Sequence, residues 1–303
     1  MIFTVTLNPS IDYIIHVDGL INGTVNRPLK EEYRFGGKGI NISYVLAELD
    51  LDSTALGFVA GFTGEAIAKG IRSEHIKTDF IRLDEGISRM NIKILSGDET
   101  EINGLAPQVD EAALDSFMKK LGQVQDGDTV IIAGNAPETM PDDIYERILS
   151  ALCGKDVRVV LDASGHQLLN CLGFRPFLIK PNLDELAELF DSDLSMPEAV
   201  EFSAAQLQMM GAQNVLVSMG SKGAMLMAAD GRCRRIGAVD GKAVSTIGAG
   251  DSMVAGFVAG YELKRNYDIA LRLGCACGSA TAFMPGLAKV DLIEKLFSMY
   301  MKL

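Results

Sequence analysis

Four short, almost uninterrupted apolar runs constrain this chain most: Thr129–Ala133, Val157–Leu161, Phe177–Ile179 and Asn214–Met219. A strand that is apolar on both faces must be covered on both faces, as in a parallel sheet sandwiched between helices. Helical patterns alternate with these runs. Leu114, Phe117, Met118 and Leu121 recur at helical spacing after a cap at Asp110, and Ile144, Ile148, Leu149 and Leu152 do so after Pro141-Asp142-Asp143. The expected fold is therefore α/β, a doubly wound, mostly parallel sheet flanked by helices, with ligands at the carboxyl ends of its strands.

Two segments break the alternation. Residues 13–35 and 88–104 read as hairpins; in the second, Ile92-Lys93-Ile94-Leu95 and Glu101-Ile102-Asn103 flank the turn residues 96–99. They are expected to form a small antiparallel β-sheet lid on a single α/β unit spanning 1–303. Apolar residues on both lid faces (Ile14, Ile15, Tyr33, Phe35, Ile92, Ile94) call for two covers, a ligand on one side and a second subunit on the other.

Bulk composition narrows the function. At 303 residues and 48% hydrophobic, the chain can bury a large core, and a net charge of −12 excludes nucleic acid or anionic membrane as its main partner. An anionic substrate would need local basic residues. The five cysteines (153, 171, 233, 275 and 277) are odd in number, and no charged-then-apolar leader opens the chain, so a cytoplasmic protein with reduced thiols is expected. Cys275 and Cys277 would point to nearly opposite sides of a helix and read as buried small residues, not a metal pair.

The chemistry concentrates in Gly248-Ala249-Gly250-Asp251, followed by the small apolar run Ser252–Ala259. Two glycines let successive N–H groups turn toward one point at a helix N-terminus, where the dipole favours anions. Asp251 then stands where it can take a proton, or serves as a plain helix cap. Asn8-Pro9-Ser10-Ile11-Asp12 ends the first strand, so Asp12 is expected at its carboxyl end, as a sugar-hydroxyl acceptor or a turn residue. Phe35-Gly36-Gly37-Lys38-Gly39-Ile40-Asn41 is a glycine-rich turn into a helix, and a lysine at a helix N-terminus is unfavourable unless an anion joins it. It has neither Walker A nor dinucleotide-loop spacing. In Lys180-Pro181-Asn182-Leu183-Asp184-Glu185, Asn182 and Glu185 share a helix face, which suits Mg²⁺, directly or through water, and equally suits a capping pair. Ser218-Met219-Gly220-Ser221-Lys222-Gly223 is a turn that lets backbone approach a nucleotide, or is simply a hairpin turn.

Together these motifs strongly resemble the PfkB, or ribokinase-like, carbohydrate kinases, from Thr6–Asp12 through 36–41 and 180–182 to Ile247–Ser252, and within them the branch acting on fructose 1-phosphate. The resemblance implies a ribokinase-like fold with a lid often shared in a homodimer, and ATP with Mg²⁺. It implies that Asp251 is the general base and that Gly248, Ala249 and Gly250 form the anion hole. Asp12, Gly37, Lys38, Asn41 and Arg89 become sugar-phosphate contacts. Lys180, Asn182, Ser218, Gly220 and Gly223 become nucleotide contacts, with Asn182 and Glu185 at the metal. The implied reaction is ATP-dependent conversion of fructose 1-phosphate to fructose 1,6-bisphosphate; tagatose 6-phosphate and fructose 6-phosphate are the alternatives, and a non-catalytic sugar-phosphate sensor is a more distant one. Two positions depart from the pattern. Ser245-Thr246 stands where relatives often have Asp-Thr, so activation by a monovalent cation is not carried over. Gly134-Asn135-Ala136-Pro137 stands where relatives often have Gly-Ser-Leu-Pro.

Overall fold

The computed structural model describes residues 1–303. In chain order the elements are β1 (Ile2–Thr6), β2 (Ser10–His16), β3 (Lys30–Gly36), α1 (Lys38–Glu48), β4 (Ser53–Ala60), α2 (Gly61–Gly70), β5 (Ile76–Thr78), β6 (Ile81–Leu83), β7 (Arg89–Ser96) and β8 (Asp98–Asn103). There follow α3 (Glu111–Leu121), β9 (Thr129–Ala133), α4 (Ile144–Leu152), β10 (Arg158–Asp162), α5 (Gly165–Cys171), β11 (Leu178–Ile179), α6 (Leu183–Phe190) and α7 (Pro197–Met209). The chain closes with β12 (Asn214–Ser218), β13 (Ala224–Met227), β14 (Cys233–Ile236), α8 (Ala249–Lys264), α9 (Tyr267–Ala282) and α10 (Val290–Tyr300).

The principal sheet runs β14-β13-β12-β11-β10-β9-β1-β4-β5, with β6 also on β4. It is parallel from β12 through β5 and ends in the antiparallel strands β13 and β14. Its two faces explain the apolar runs. Val5, Val130, Ile132 and Leu161 pack beneath α3, α4 and α6 through Phe117, Ile148 and Leu186. Ile131, Val160, Leu178 and Leu216 pack against α1, α8 and α9 on the other side through Ile42, Val45, Phe257 and Ala276. The expected strands fall within a residue or two of those observed, and Asp110 caps α3 by accepting from the Ala113 N–H at 2.7 Å.

The small run after Asp251 has a packing reason. A Cβ on Gly256 would lie 2.5 Å from the Leu273 carbonyl oxygen and 2.7 Å from Cys277 Sγ, so α8 and α9 meet backbone to backbone. Cys277 is buried in that contact, and Cys275 is buried on another side of α9. No helix is long and apolar enough to cross a membrane.

The lid is a separate sheet in the order β3-β2-β7-β8. Its two hairpins are antiparallel, and they join through a parallel pairing of β2 with β7. The register sets Asp12 between Arg34 and Asn91, and Tyr13 between Tyr33 and Ile92. Because side chains alternate, Asp12, Arg34, Arg89, Asn91 and Lys93 share one face while Tyr13, Tyr33, Phe35, Met90 and Ile92 share the other. At the base of the second face, Phe35 and Met90 pack on a cluster around Ile11, Ile40 and Ile67. Farther out, Tyr33 and Ile102 are open to solvent.

One expectation is corrected here. Asp12 does not end the first strand: β1 stops at Thr6, Asn8-Pro9 turns the chain, and Ser10 opens the lid strand that carries Asp12. Proline has no N–H for the ladder and separates two strands that composition alone joins.

Candidate active site

The carboxyl ends of β1, β9, β10 and β11, the N-termini of α1 and α8, and the polar face of the lid converge on one region. Asp251 stands in the first turn of α8 and is only 6% exposed. It is not the helix cap, a position taken by Gly248 at φ 77°, and its side chain makes no capping bond. Its partner is Asn41 on α1, whose Nδ2 donates to Asp251 Oδ2 at 2.8 Å. Burial pushes the Asp251 carboxyl up to about 6, helped by the charge of Asp162 and opposed by Asn41, Lys38 and Lys180.

The cradle beside it differs in one member from the expected set. The Ala249 N–H donates to the Thr246 carbonyl at 3.2 Å, closing the turn that Gly248 makes, so it is not free for a ligand. The N–H groups of Gly248, Gly250 and Asp251 have no backbone acceptor and carry the positive end of the helix.

Two cations flank this helix end. Lys38 Nζ lies 3.1 Å from Asp162 Oδ2, and Lys180 Nζ lies 3.3 Å from Asp162 Oδ1. Lys180 is 6% exposed and close enough to α8 that a Cβ on Gly250 would be 3.2 Å from its Nζ. Burial lowers the Lys38 pKa, and Asp162, Asp251 and Glu185 together outweigh it, so the ammonium is held above its ordinary value. Asp162 shows the converse balance: burial raises its pKa, but Lys180 and Lys38 hold it below the usual carboxylate range. Sequence reading missed Asp162. The only signal was an acid directly after an apolar strand, and its lysine partners lie far from it in sequence.

On the lid, Asp12 Oδ1 accepts from Asn91 Nδ2 at 2.7 Å and Ser10 Oγ at 3.0 Å. Arg89 is half-buried, its Nε has no partner, and burial lowers its pKa against the opposing charge of Asp12. An orphaned guanidinium N–H in a pocket points to an absent acceptor. Arg89, Lys38, Gly37, Asn8 and Asn135 line a cavity of about 710 Å³. Asp12, Asn41, Arg34 and Gly248 line a second of about 470 Å³, and both cavities abut the 36–41 segment.

At the far side, Asn182 Oδ1 accepts from the Glu185 N–H, and Glu185 Oε2 accepts from the Asn182 N–H, each at 2.8 Å. This is a capping box on α6, so the capping alternative describes the pair as it stands. Ser218 lies beside Asn182 through a bridge between the ends of β11 and β12. Gly220 opens the following turn with free space at its Cα, whereas a Cβ on Gly223, at φ 90°, would strike the Ile236 carbonyl oxygen at 2.0 Å. Packing within the protein therefore accounts for Gly223.

Residues 5–292 match the pfkB family carbohydrate kinase profile. The chain belongs to the PfkB family of carbohydrate kinases. It is 43% identical over 297 residues to 1-phosphofructokinase of Bacillus subtilis (strain 168), covering 98% of this chain and 97% of that one. It is 39% identical over 299 residues to D-tagatose-1-phosphate kinase of Bacillus licheniformis, covering 98% of each. Phosphofructokinase-2 from Escherichia coli, solved in complex with substrates and products, has a TM-score of 0.91 at 25% identity over 99% of both chains. This PfkB kinase thus has the ribokinase-like fold and lid that the motifs implied. Asp12, Asn41 and Gly248 line one of the two cavities and Gly37, Lys38 and Arg89 the other; Asp251 joins the first through Asn41, and Lys180 is tied to Lys38 through Asp162.

Proposed function

We propose that this PfkB kinase transfers the terminal phosphoryl group of ATP to the 6-hydroxyl of fructose 1-phosphate, giving fructose 1,6-bisphosphate and ADP. The observation that carries the reading is Asp251, a buried carboxylate with raised proton affinity, set between a free-N–H helix end and two lysines. It takes the hydroxyl proton as that oxygen bonds to phosphorus and the bond to ADP breaks. Phosphoryl transfer needs little covalent chemistry from the protein, so alignment and charge neutralisation supply most of the acceleration. Gly248 and Gly250 N–H groups meet the transferring phosphoryl oxygens, and Lys180 supports them, with Asn182, Ser218 and Gly220 on the nucleotide side. Asp12 and Asn41 orient the sugar, while Lys38 and Arg89 hold the phosphate it already carries.

The residues present fit Mg²⁺ in a limited way. No three His, Cys, Asp or Glu side chains are grouped to cage an ion, and the Asn182 oxygen is committed to the α6 cap. That suits an ion held mainly by phosphates and water, with Glu185 reaching it through its remaining oxygen. When bound, Mg²⁺ neutralises phosphate charge as the donor bond breaks. Glu185→Ala is expected to lower stability by about 1 kcal/mol through the lost capping box, and also to raise the Mg²⁺ needed for half-maximal rate. A Mg²⁺ titration that matches wild type would leave Glu185 as a cap alone.

The test of substrate is ADP release with fructose 1-phosphate, tagatose 1-phosphate, fructose 6-phosphate and tagatose 6-phosphate. The expected order puts fructose 1-phosphate first in kcat/KM. The 39% identity to a D-tagatose-1-phosphate kinase favours tagatose 1-phosphate as the second reading, since it keeps the phosphate position. Preference for a 6-phosphate would overturn the assignment. With the base protonated the step stops, so kcat should fall as pH drops through about 6, by roughly tenfold at pH 5. A flat kcat from pH 8 to 5 would remove a buried carboxylate base from the mechanism. We also place the protein in the cytoplasm as a single kinase unit that dimerises through the outward lid face around Tyr33 and Ile102. Sedimentation at twice the chain mass is the expected result.

A further inference from the structure

We propose that Asp162 is a positioning residue of this site: one buried carboxylate, shared between Lys38 and Lys180, keeps both ammoniums off Asp251 and leaves that group free to accept a proton. The inference rests on the reading of Asp251 as the base.

A phosphoryl-transfer site faces a conflict. It needs cations for phosphate oxygens beside a carboxylate that must stay basic, and a carboxylate paired with an ammonium loses basicity. Here Asp251 pairs with neither lysine; its hydrogen bond comes from the neutral amide of Asn41. Asp162 takes both cations instead, Lys38 on Oδ2 at 3.1 Å and Lys180 on Oδ1 at 3.3 Å. Asp162 is 3% exposed and Lys180 6%, so little water competes for their contact, whereas Lys38 reaches the same carboxylate from the open side of the site. Each ammonium has three N–H donors and gives one direction to Asp162, leaving the others for phosphate.

Placement follows from the same carboxylate. Lys38 is directed to the cavity it shares with Arg89, and Lys180 to the α8 cradle beside Gly250. One acid therefore sends one cation to each end of the transfer. It also carries a like charge toward Asp251, which supports proton affinity in a group already desolvated. The charged groups that act on Asp251 are Lys38 on α1, Asp162 at the end of β10 and Lys180 after β11; Glu185 on α6 acts on Lys38, and Asp12 acts on Arg89 within the lid. From α9, packed against α8, the Thr281 hydroxyl meets Ser252 beside Asp251, and the Cys277 thiol lies farther along at Gly256. Removing the Asp162 charge would leave both ammoniums acting on Asp251 without that counter-charge, and they would lower its proton affinity.

The test is the pH dependence of kcat, with both substrates saturating, for wild type, Asp162→Asn and Asp162→Glu. Using kcat avoids the second ionisation of the substrate phosphate, which also falls near pH 6. Asp162→Asn should move the acidic limb down by about one unit and lower kcat at pH 8 by about tenfold, with a smaller change in either KM. Asp162→Glu should return the limb toward wild type. An unmoved limb in folded Asp162→Asn overturns the proposal. If that variant is not recovered folded, Asp162→Asn/Lys180→Met is compared with Lys180→Met. The limb should again be lower in the double variant, and equality overturns the proposal. Asp251→Asn separates the two ideas: normal turnover there removes the base itself, whereas an unmoved limb in Asp162→Asn removes only the positioning role.

Discussion

Asp251→Asn is expected to lower kcat by about 10²- to 10⁴-fold, the range associated with losing a positioned general base. The substitution keeps size and a hydrogen-bonding oxygen beside Asn41 Nδ2, so the α1–α8 contact survives and binding of both substrates should change little. Asp251 is not a helix cap, hence no large stability loss is expected to confuse the result. An amide also relieves the cost of a buried carboxylate crowded by Asp162, and the melting temperature should hold or rise. Turnover near wild type in the folded variant would exclude Asp251 as the base.

Arg89→Ala should act on binding instead. Its guanidinium stands at the base of the lid with Nε unpartnered, facing a cavity it shares with Lys38. Losing a charge-assisted contact to the sugar's phosphate costs about 1.5–3 kcal/mol, so KM for fructose 1-phosphate should rise roughly 10- to 150-fold. KM for ATP should move far less, because the residues proposed to meet the nucleotide, Lys180, Asn182 and Ser218, lie at the ends of β11 and β12, away from the lid. Remote binding energy also helps hold the acceptor hydroxyl at Asp251, so kcat is expected to fall as well. A sugar-phosphate KM equal to wild type would show that the lid arginine does not meet the phosphate.

The contrast between Asp251 and Asp162 shows what was legible in the sequence. Asp251 sits inside a local pattern, two glycines and a helix start, whose chemistry can be read from adjacent residues. Strands β9 and β10 were equally plain, because a parallel strand covered on both faces must be apolar throughout. Asp162 belongs to no local pattern: its meaning comes from Lys38, 124 residues away, and from Lys180, brought beside it by neighbouring strands. Asp12 was assigned to the wrong strand for a related reason. Asn8-Pro9 connects two different sheets, and the pairing of β2 with β3 and β7 shows to which sheet Asp12 belongs. The Asn182 and Glu185 spacing served two readings, and the reciprocal bonds settle only that the cap is made. The Ala249 N–H could not be judged from sequence, since its use depends on how Gly248 turns.

The lid's register has a consequence for how chains of this kind can diverge. Asp12 and Tyr13 are neighbours in sequence yet belong to opposite surfaces, as do Arg89 with Met90 and Asn91 with Ile92. Substitutions can retune the cleft-facing row without altering the outward row, and the reverse. A single inserted or deleted residue within Ser10–His16 would exchange the rows, turning Asp12 toward solvent and Tyr13 into the cleft. Letters in these strands are free to drift one surface at a time, while their spacing must be inherited whole.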